Sequence, residues 1–389
     1  MSIDQVVHAA QEHMRAERIS GWLLYDYRGM NPIFWDTVGP IPNVTRPCWL
    51  WVPSHGEPRL LVSYVDQGRF AHLGVPTTVF VSREEMVRTL AEMLRGAGRI
   101  AMEYSPSGEL PRVSRVDAGT LELVRGLGVE VVSSGDTLQY ATQRWSDSQL
   151  QSHLEAASGL DAIVRQAFRR IGDTLASGPT EHGIAEFIRS RYAEEGLEAA
   201  DGPVVAVNDH SSDPHFEPAP GSSRVIEAGD WVLIDLWARL PDEDAMYADI
   251  TWTAYVGSEV PPRNRRVFDA VIGARDAALA EMEAEFAAGR ELQGRQVDKV
   301  AREFISEAGF GDYFNHRLGH SLGREVHSNA VNLDGWETHD TRRLIPGIAV
   351  TIEPGIYLPE FGVRSEIDVF ISEDGPRVTT KVQREVFLI

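Results

Sequence analysis

The chain has 389 residues and a formal net charge of -21, with 43% hydrophobic and 24% charged residues. That length favours two domains, and the composition is typical of a globular protein with a sizeable core. The negative charge repels phosphate groups and no basic stripe compensates for it, so we expect no nucleic acid partner. The single cysteine, Cys48, excludes an intramolecular disulfide.

The hydropathy pattern shows neither a secretion signal nor a membrane-spanning segment. Residues 1–8 lack a basic segment followed by an apolar one, and no stretch approaches the roughly 18 apolar residues of a membrane helix. We therefore expect no membrane partner and a cytoplasmic location.

The first part of the chain alternates between helical and strand patterns. A helix is predicted within residues 1–20 and a strand over 20–27, and the turn at 53–58 predicts a hairpin. The other predicted elements are strands at 48–52, 60–63, 99–103 and 129–132, and helices at 83–95 and 117–127. This alternation predicts an α/β domain over residues 1–143.

The pattern then changes to two long amphipathic helices, predicted over 146–168 and from 179 to about 195. From residue 202 onward it changes again, to strands, turns and glycines, which predicts a mixed sheet. The stretch 211–223 is rich in Pro, Gly and Ser, and we expect it to be a loop at a functional site. These features assign residues 144–389 to a second domain.

Two aspartates in this second part stand beside predicted strands. Asp235 follows the apolar run 232–234, and Asp249 opens the next strand after a polar turn. A carboxylate on the interior face of a sheet is costly unless it is paired or binds a metal. Antiparallel pairing of the two strands can place both carboxylates on one face.

Three further candidate ligands lie closer to the C-terminus. His320 belongs to a segment, 315–327, that contains three histidines. Glu353 ends the strand predicted over 348–352, and Glu366 begins another strand. Each residue alone has a common structural explanation, such as a salt bridge, but the ordered set of five predicts a metal site.

The chemistry of the five side chains indicates which ions would bind. Four carboxylates and one imidazole suit Mn²⁺, with Co²⁺ and Zn²⁺ as alternatives. Four carboxylates also carry enough negative charge for two dications, and a bridging carboxylate can hold two ions roughly 3.5–4 Å apart. The sequence therefore predicts a dinuclear centre.

The five residues resemble the ligand signature of the pita-bread metallopeptidases, in the aminopeptidase P, prolidase and creatinase group. The sequences VLID, ADIT, IEPGIY and GVRSE and the histidine spacing in 316–327 are similar too. The resemblance covers most of residues 145–389. It implies an α+β protein with a small creatinase/prolidase-like α/β domain (1–143), a pita-bread catalytic domain with a curved antiparallel sheet (144–389), and a homodimer.

The resemblance also implies a function and residue roles. The protein would be a dinuclear-metal peptidase that hydrolyses short peptides, above all Xaa-Pro bonds, by means of a metal-bridging hydroxide. Glu353 would be both ligand and proton shuttle, and His327 and His215 would stabilise the oxyanion. His316 would line the pocket behind the ligands, and Arg364 would orient nearby carboxylates.

Departures from the family pattern concern the pocket. The spacing between Asp235 and Asp249 is longer than usual, which implies an insertion in the hairpin. Trp237 stands where small residues are common, and Arg317 replaces a usual glycine after His316. We expect Trp237 and Arg317 to narrow the pocket or to place a positive charge opposite a substrate carboxylate.

Other interpretations start from the same segment. Residues 319–323 match the G-x-S-x-G motif of serine hydrolases, which requires a helix after the serine and a distant downstream histidine. Because loop and strand are predicted after Ser321, we do not expect it to be a nucleophile. A metal-free binding protein with a closed site would not need all five ligand residues, so their presence argues against it. A metal-dependent enzyme that acts on a non-peptide substrate would need the same five residues and stays an alternative.

Overall fold

The computed structural model describes residues 2–389 and divides the chain into two compact units, Met1–Arg144 and Trp145–Ile389. No helix within the described residues is long and apolar enough to cross a membrane.

The first unit is built around a mixed sheet with the strand order β4-β3-β2-β1-β5-β6. Its strands are β1 (Gly21–Asp26), β2 (Cys48–Pro53), β3 (Arg59–Ser63), β4 (Thr77–Phe80), β5 (Arg99–Met102) and β6 (Glu130–Ser133). Its helices are α1 (Ile3–Ala16), α2 (Pro32–Val38), α3 (Arg83–Met93), α4 (Ala118–Gly126) and α5 (Gly135–Leu138).

Both faces of this sheet are covered, because alternate residues of one strand belong to different cores. Trp22 and Leu24 pack with α1 and α2, while Leu23 packs with residues of α3 and α4. The predicted hairpin between β2 and β3 is confirmed by their antiparallel register. The sequence patterns did not predict α2, β4 or α5, which are short elements with little periodicity.

The second unit combines long helices with several small sheets. Its helices are α6 (Asp147–Thr174), α7 (Glu181–Glu194), α8 (Pro262–Ala287) and α9 (Gly294–Glu307). Its strands are β7 (Val204–Val207), β8 (Trp231–Ala238), β9 (Ala248–Tyr255), β10 (Ser321–Leu322), β11 (Ala349–Ile352), β12 (Gly355–Leu358), β13 (Phe361–Arg364), β14 (Ile367–Ser372), β15 (Gly375–Val378) and β16 (Phe387–Leu388).

The strands of this unit pair mostly in antiparallel fashion. The orders are β16-β9-β8-β7 and β10-β11-β14-β15, and β12 pairs with β13. The expectation of a curved antiparallel sheet needs correction in two respects: the strands are divided among separate sheets, and β16 runs parallel to β9.

The two helices predicted at the start of this unit, α6 and α7, are present, but the sequence patterns did not predict α8 and α9. Helix α6 begins at the predicted capping box, in which Ser146 and Gln149 bond to each other's backbone N–H groups. The prediction of only strands and turns after residue 202 is wrong for α8 and α9, with 26 and 14 residues. The buried face of α8 is rich in alanine, so its apolar stripe is weak in the sequence.

A candidate metal centre

The hairpin β8–β9 forms one wall of the site, and its alternation separates core residues from site residues. Ile234 and Ile250, on one face, belong to a hydrophobic core that also contains residues of α6 and α7. On the other face, Asp235 lies opposite Thr251, and Trp237 lies opposite Asp249. The two aspartates are therefore diagonal neighbours on the same face, as the sequence predicted.

A second wall is formed where the chain before β10 lies against β11. The N–H group of His320 donates to Thr351 Oγ1 at 3.0 Å, and the N–H group of Glu353 donates to the Leu318 carbonyl at 2.8 Å. Gly319 permits this approach, since a Cβ atom there would lie 2.0 Å from the Thr351 carbonyl oxygen. The backbone thus aims His320 and Glu353 at the same space.

Glu366 reaches the site from the start of β14 and is held by the hairpin. Its N–H group donates to the Thr251 carbonyl at 3.2 Å, and the Thr251 hydroxyl donates to Glu366 Oε2 at 2.7 Å. The same hydroxyl accepts a hydrogen bond of 3.1 Å from Arg364 Nε. One threonine therefore positions both a carboxylate and an arginine.

The structure brings three of the predicted ligands together most closely. One ligand atom each from Asp249, His320 and Glu366 lies within 4.8 Å of the others. His320 Nε2 is 3.7 Å from Asp249 Oδ2 and 3.4 Å from Glu353 Oε1. Asp235 borders the same space, but its carboxylate forms a salt bridge with Arg364 Nη2.

The electrostatics of this cluster is unfavourable without a cation. Burial, followed by repulsion from Glu366 and Asp235, raises the pKa of Asp249 well above its ordinary value. Burial and the neighbouring carboxylates raise the pKa of Glu366 in the same way. Loss of hydration raises the pKa of Glu353 to about 7, although the positive charges of Arg364 and Arg317 oppose the shift.

These residues fit a divalent ion. Asp249 Oδ1 is buried and has no hydrogen-bond partner among residues 2–389. His320 Nδ1 lies 3.3 Å from the carbonyl of Ser321, which favours a proton on Nδ1 and leaves the Nε2 lone pair facing the carboxylates. A cation at this place would satisfy both atoms and would relieve the repulsion that raises the carboxyl pKa values.

The cluster opens into a cavity of about 700 Å³. The predicted site residues that line it include all five candidate ligands and also His215, Trp237, His316, Arg317, His327 and Arg364. His215 and His327 are exposed to the cavity, and the His327 ring stands edge-on to the ring of His320, with 4.3 Å between centroids. Trp237 donates from Nε1 to Asp201 at 3.0 Å.

His316 lines the cavity, and its surroundings disfavour the charged form of the ring. Loss of hydration and the nearby charge of Arg364 lower its pKa to about 3. Its Nε2 atom is 2.8 Å from the hydroxyl of Tyr357, which accepts a hydrogen bond of 3.1 Å from Arg364 Nη1. His316 is therefore linked to the Arg364–Asp235 pair through Tyr357.

The sequence interpretation missed several residues that support the ligands. Thr251, Thr351 and Tyr357 were not singled out, and neither was Asp368, which accepts a hydrogen bond of 2.9 Å from the N–H group of Asp249. A signal was present for the threonines, because Thr251 lies two residues after Asp249 in β9, and therefore on the same face, and Thr351 lies two residues before Glu353 at the end of β11.

The serine-hydrolase motif lacks its required setting. Ser321 lies in the short strand β10, which is followed by loops and not by a helix. Its hydroxyl is fully buried and donates to the Ala330 carbonyl at 3.1 Å. This geometry does not present a nucleophile to a substrate.

Comparisons with known proteins agree on the fold. The dipeptidase PepE from Mycobacterium ulcerans superposes with a TM-score of 0.71 at 24% identity, over 100% of this chain and 98% of that one. The prolidase from Pyrococcus horikoshii OT3 gives a TM-score of 0.62 at 25% identity, over 98% and 99%. The protein thus has the α+β pita-bread architecture with a smaller N-terminal α/β unit.

Sequence comparisons agree on the family. The Xaa-Pro dipeptidase from Pyrococcus furiosus is 34% identical over 229 residues, which are 58% of this chain and 60% of that protein. The match thus spans about three fifths of that relative's length. The model of metallopeptidase family M24 matches residues 155–373, more than half of the chain. The chain therefore belongs to metallopeptidase family M24.

Proposed function

We propose that this protein is a dinuclear-metal peptidase that hydrolyses short peptides, with a preference for Xaa-Pro bonds. Two relatives, from Pyrococcus furiosus and Pyrococcus horikoshii, are named Xaa-Pro dipeptidases, which supports this substrate class. A cytoplasmic location and a homodimer stay predictions that follow from the sequence and the family resemblance.

One observation is central to the proposal. Asp249, His320 and Glu366 converge on one point, and the buried Asp249 Oδ1 atom has no other described partner. Glu353 and Asp235 border the same point and would complete the sites for two ions, for which we favour Mn²⁺. Divalent ions there would supply Lewis acidity, which polarises a carbonyl group and makes water acidic near neutral pH.

The residues of the chain would handle the proton and the substrate. Glu353, beside His320, would take a proton from the attacking water and pass it to the leaving nitrogen. The exposed imidazoles of His327 and His215 would donate hydrogen bonds to the oxygen of the scissile carbonyl as its charge develops. Arg364 would hold Asp235 in place, and Trp237 would limit the width of the cavity.

The metal centre is tested by titrating chelator-stripped protein with Mn²⁺ in a calorimeter. We expect two sites in the wild type. Asp249→Ala should weaken binding by more than the ~10–100-fold typical of residues that only support a ligand. Asp312→Ala is the matched control, because Asp312 is exposed and is not among the residues that line the cavity.

Hydrolysis is then measured with Mn²⁺-loaded protein and Xaa-Pro dipeptides. Activity in the wild type and its loss in Asp249→Ala would support the peptidase. Two bound ions without cleavage of any short peptide would favour a non-peptide substrate, and an absence of Mn²⁺ binding at neutral pH would contradict the metal centre itself.

A further inference from the structure

The loop that carries His215 is long and has little regular structure of its own. It connects the end of β7 at Val207 to the start of β8 at Trp231, and it contains a short 3₁₀ turn, Asn208–Ser212. His215 and Phe216 line the cavity from the middle of this loop. A side chain that meets a substrate from such a loop works only if the surrounding residues hold the loop in place.

Glu181 closes the base of this loop. It is fully buried at the start of α7, and its carboxylate accepts hydrogen bonds of 2.8 Å from the N–H groups of Val207 and Arg224. The N–H group of Glu181 donates in turn to the Arg224 carbonyl at 3.1 Å. The beginning of a helix is a favourable place for this negative charge. One side chain therefore fixes both ends of the segment 207–224.

His210 connects this anchor to the turn that carries His215. Its Nδ1 atom lies 2.9 and 3.0 Å from the two oxygen atoms of Glu181, and because a carboxylate only accepts, Nδ1 carries a proton and donates it. The ring of His210 also stacks on the ring of Phe216, with 4.4 Å between centroids and 29° between planes. The imidazole thus contacts the buried anchor and the neighbour of His215 at the same time.

The turn 213–217 itself is shaped by local hydrogen bonds. The N–H group of Phe216 donates to the Asp213 carbonyl at 3.1 Å, and the N–H group of His215 donates to Asp213 Oδ1 at 3.0 Å. The next anchor along the chain is the Pro218 carbonyl, 3.3 Å from His182 Nδ1. Local bonds give a turn its shape but do not orient it relative to the rest of the protein. The stack on His210 supplies that orientation.

We propose that Glu181, His210 and Phe216 act together as positioning residues, which hold the turn 213–217 so that His215 faces the candidate metal centre. Position is transmitted from the start of α7 through the imidazole to the aromatic ring beside His215. The inference rests on the proposed peptidase function, in which His215 donates to the oxygen of the scissile carbonyl, and deepens it by naming the residues on which that contact depends.

The kinetic test uses His210→Ala, which removes both contacts. The side chain of His210 is 22% exposed, so the variant should fold. We expect kcat of the Mn²⁺-loaded protein with Ala-Pro to fall ~10–100-fold, because a donor is displaced from the reacting bond, while Mn²⁺ affinity stays unchanged. In a His215→Ala background the same change should have no further effect, because the residue on which His210 acts is already missing.

Two further variants separate the contacts from general effects. His210→Phe keeps a ring for the stack but loses the bond to Glu181, so kcat should fall less than in His210→Ala. His339→Ala is the matched control, because His339 is exposed and is not among the residues that line the cavity. It should leave kcat and Mn²⁺ affinity unchanged.

Hydrogen exchange measures the hold on the loop without reference to catalysis. Followed by mass spectrometry, the backbone amides of residues 211–217 should exchange ~10-fold faster in His210→Ala than in the wild type. The amides of β8 and β9 should exchange at the same rate in both proteins. His339→Ala should change neither region.

The outcomes separate the two proposals. An equal loss of kcat from His210→Ala in both backgrounds, or unchanged exchange over 211–217, would overturn the positioning role. Faster exchange over 211–217, in a protein that cleaves neither Ala-Pro nor other short peptides, would leave the hold on the turn standing and remove the peptidase function.

Discussion

Single hydroxyl groups position much of the candidate centre. Thr351 accepts a hydrogen bond from the backbone of His320 and donates to Glu353 Oε1 at 3.1 Å. Thr251 connects Glu366 to Arg364. The ligands could be predicted from the sequence because Asp, Glu and His have distinctive chemistry. The threonines were harder to predict, because Thr is also frequent in strands that bind nothing.

Thr251→Val tests this support directly. The change removes the donor to Glu366 and the acceptor for Arg364 while keeping the volume of the side chain. We expect Mn²⁺ affinity to fall by ~10–100-fold, as is typical when a partner of a metal ligand is removed. Thr253→Val is the matched control, since Thr253 lies on the same face of β9 and its buried hydroxyl has no described partner. Equal loss in both variants would argue against positioning by Thr251.

Ser321→Ala distinguishes the metal centre from a serine nucleophile. The Ser321 hydroxyl makes one structural hydrogen bond, to Ala330, so its removal should cost about 1 kcal/mol of the free energy of unfolding. Peptide hydrolysis at saturating Mn²⁺ should remain close to that of the wild type. Inactivation of the wild type by a serine-directed organophosphate, together with loss of activity in the variant, would instead identify a nucleophile.

At the scale of elements, the site depends on the close approach of the segment before β10 to strand β11. The alternation of β9 could be read from the sequence, because Ile250 faces the core and Thr251 faces the site, whereas β8 reads only as an apolar run that ends at Asp235. The approach of Gly319 to β11 could not be read, because contact between segments distant in the chain leaves no local pattern. The same limitation explains why the separate sheets of the second unit were not predicted.

Gly319→Ala tests that approach. The new methyl group would collide with the carbonyl of Thr351, so the backbone that carries His320 must shift. We expect the free energy of unfolding to fall by about 1–3 kcal/mol and Mn²⁺ affinity to fall with it. Gly221→Ala is the control, because a Cβ atom at Gly221 meets no heavy atom within 4 Å. Unfolding in denaturant provides the measurement, and an unchanged midpoint for Gly319→Ala would contradict the close contact.

At the scale of the whole molecule, a buried carboxyl group away from the candidate centre contributes to the dependence of stability on pH. Glu103 in the first unit is fully buried and accepts hydrogen bonds from Trp22 at 2.6 Å, Asn31 at 2.9 Å and Ser134 at 3.2 Å. Burial raises its pKa to about 7 despite these bonds. Composition alone could not have identified it among the many acidic residues of the chain.

The sign of the effect follows from proton binding. Between the ordinary pKa of 4.5 and the folded value near 7, the folded state holds a proton that the unfolded state has lost. The contribution of Glu103 to the free energy of unfolding should therefore fall by about 3 kcal/mol as pH rises through this interval, and it should be constant above it. Glu103→Gln should remove this contribution, and the exposed control Glu122→Gln should keep it. Identical pH profiles for wild type and Glu103→Gln would contradict the assignment.

The pairing of β8 with β9 also explains how a longer loop can leave the metal ligands in place. Register makes Asp235 and Asp249 diagonal neighbours on one face, whereas the number of residues between them depends on the turn after Ala238. Extra residues in that turn change nothing inside the ladder, while a single residue inserted in either strand would exchange the core and cavity faces. The exposed tip at 242–244 is therefore a suitable place to graft a fluorescent reporter peptide without disturbing the centre.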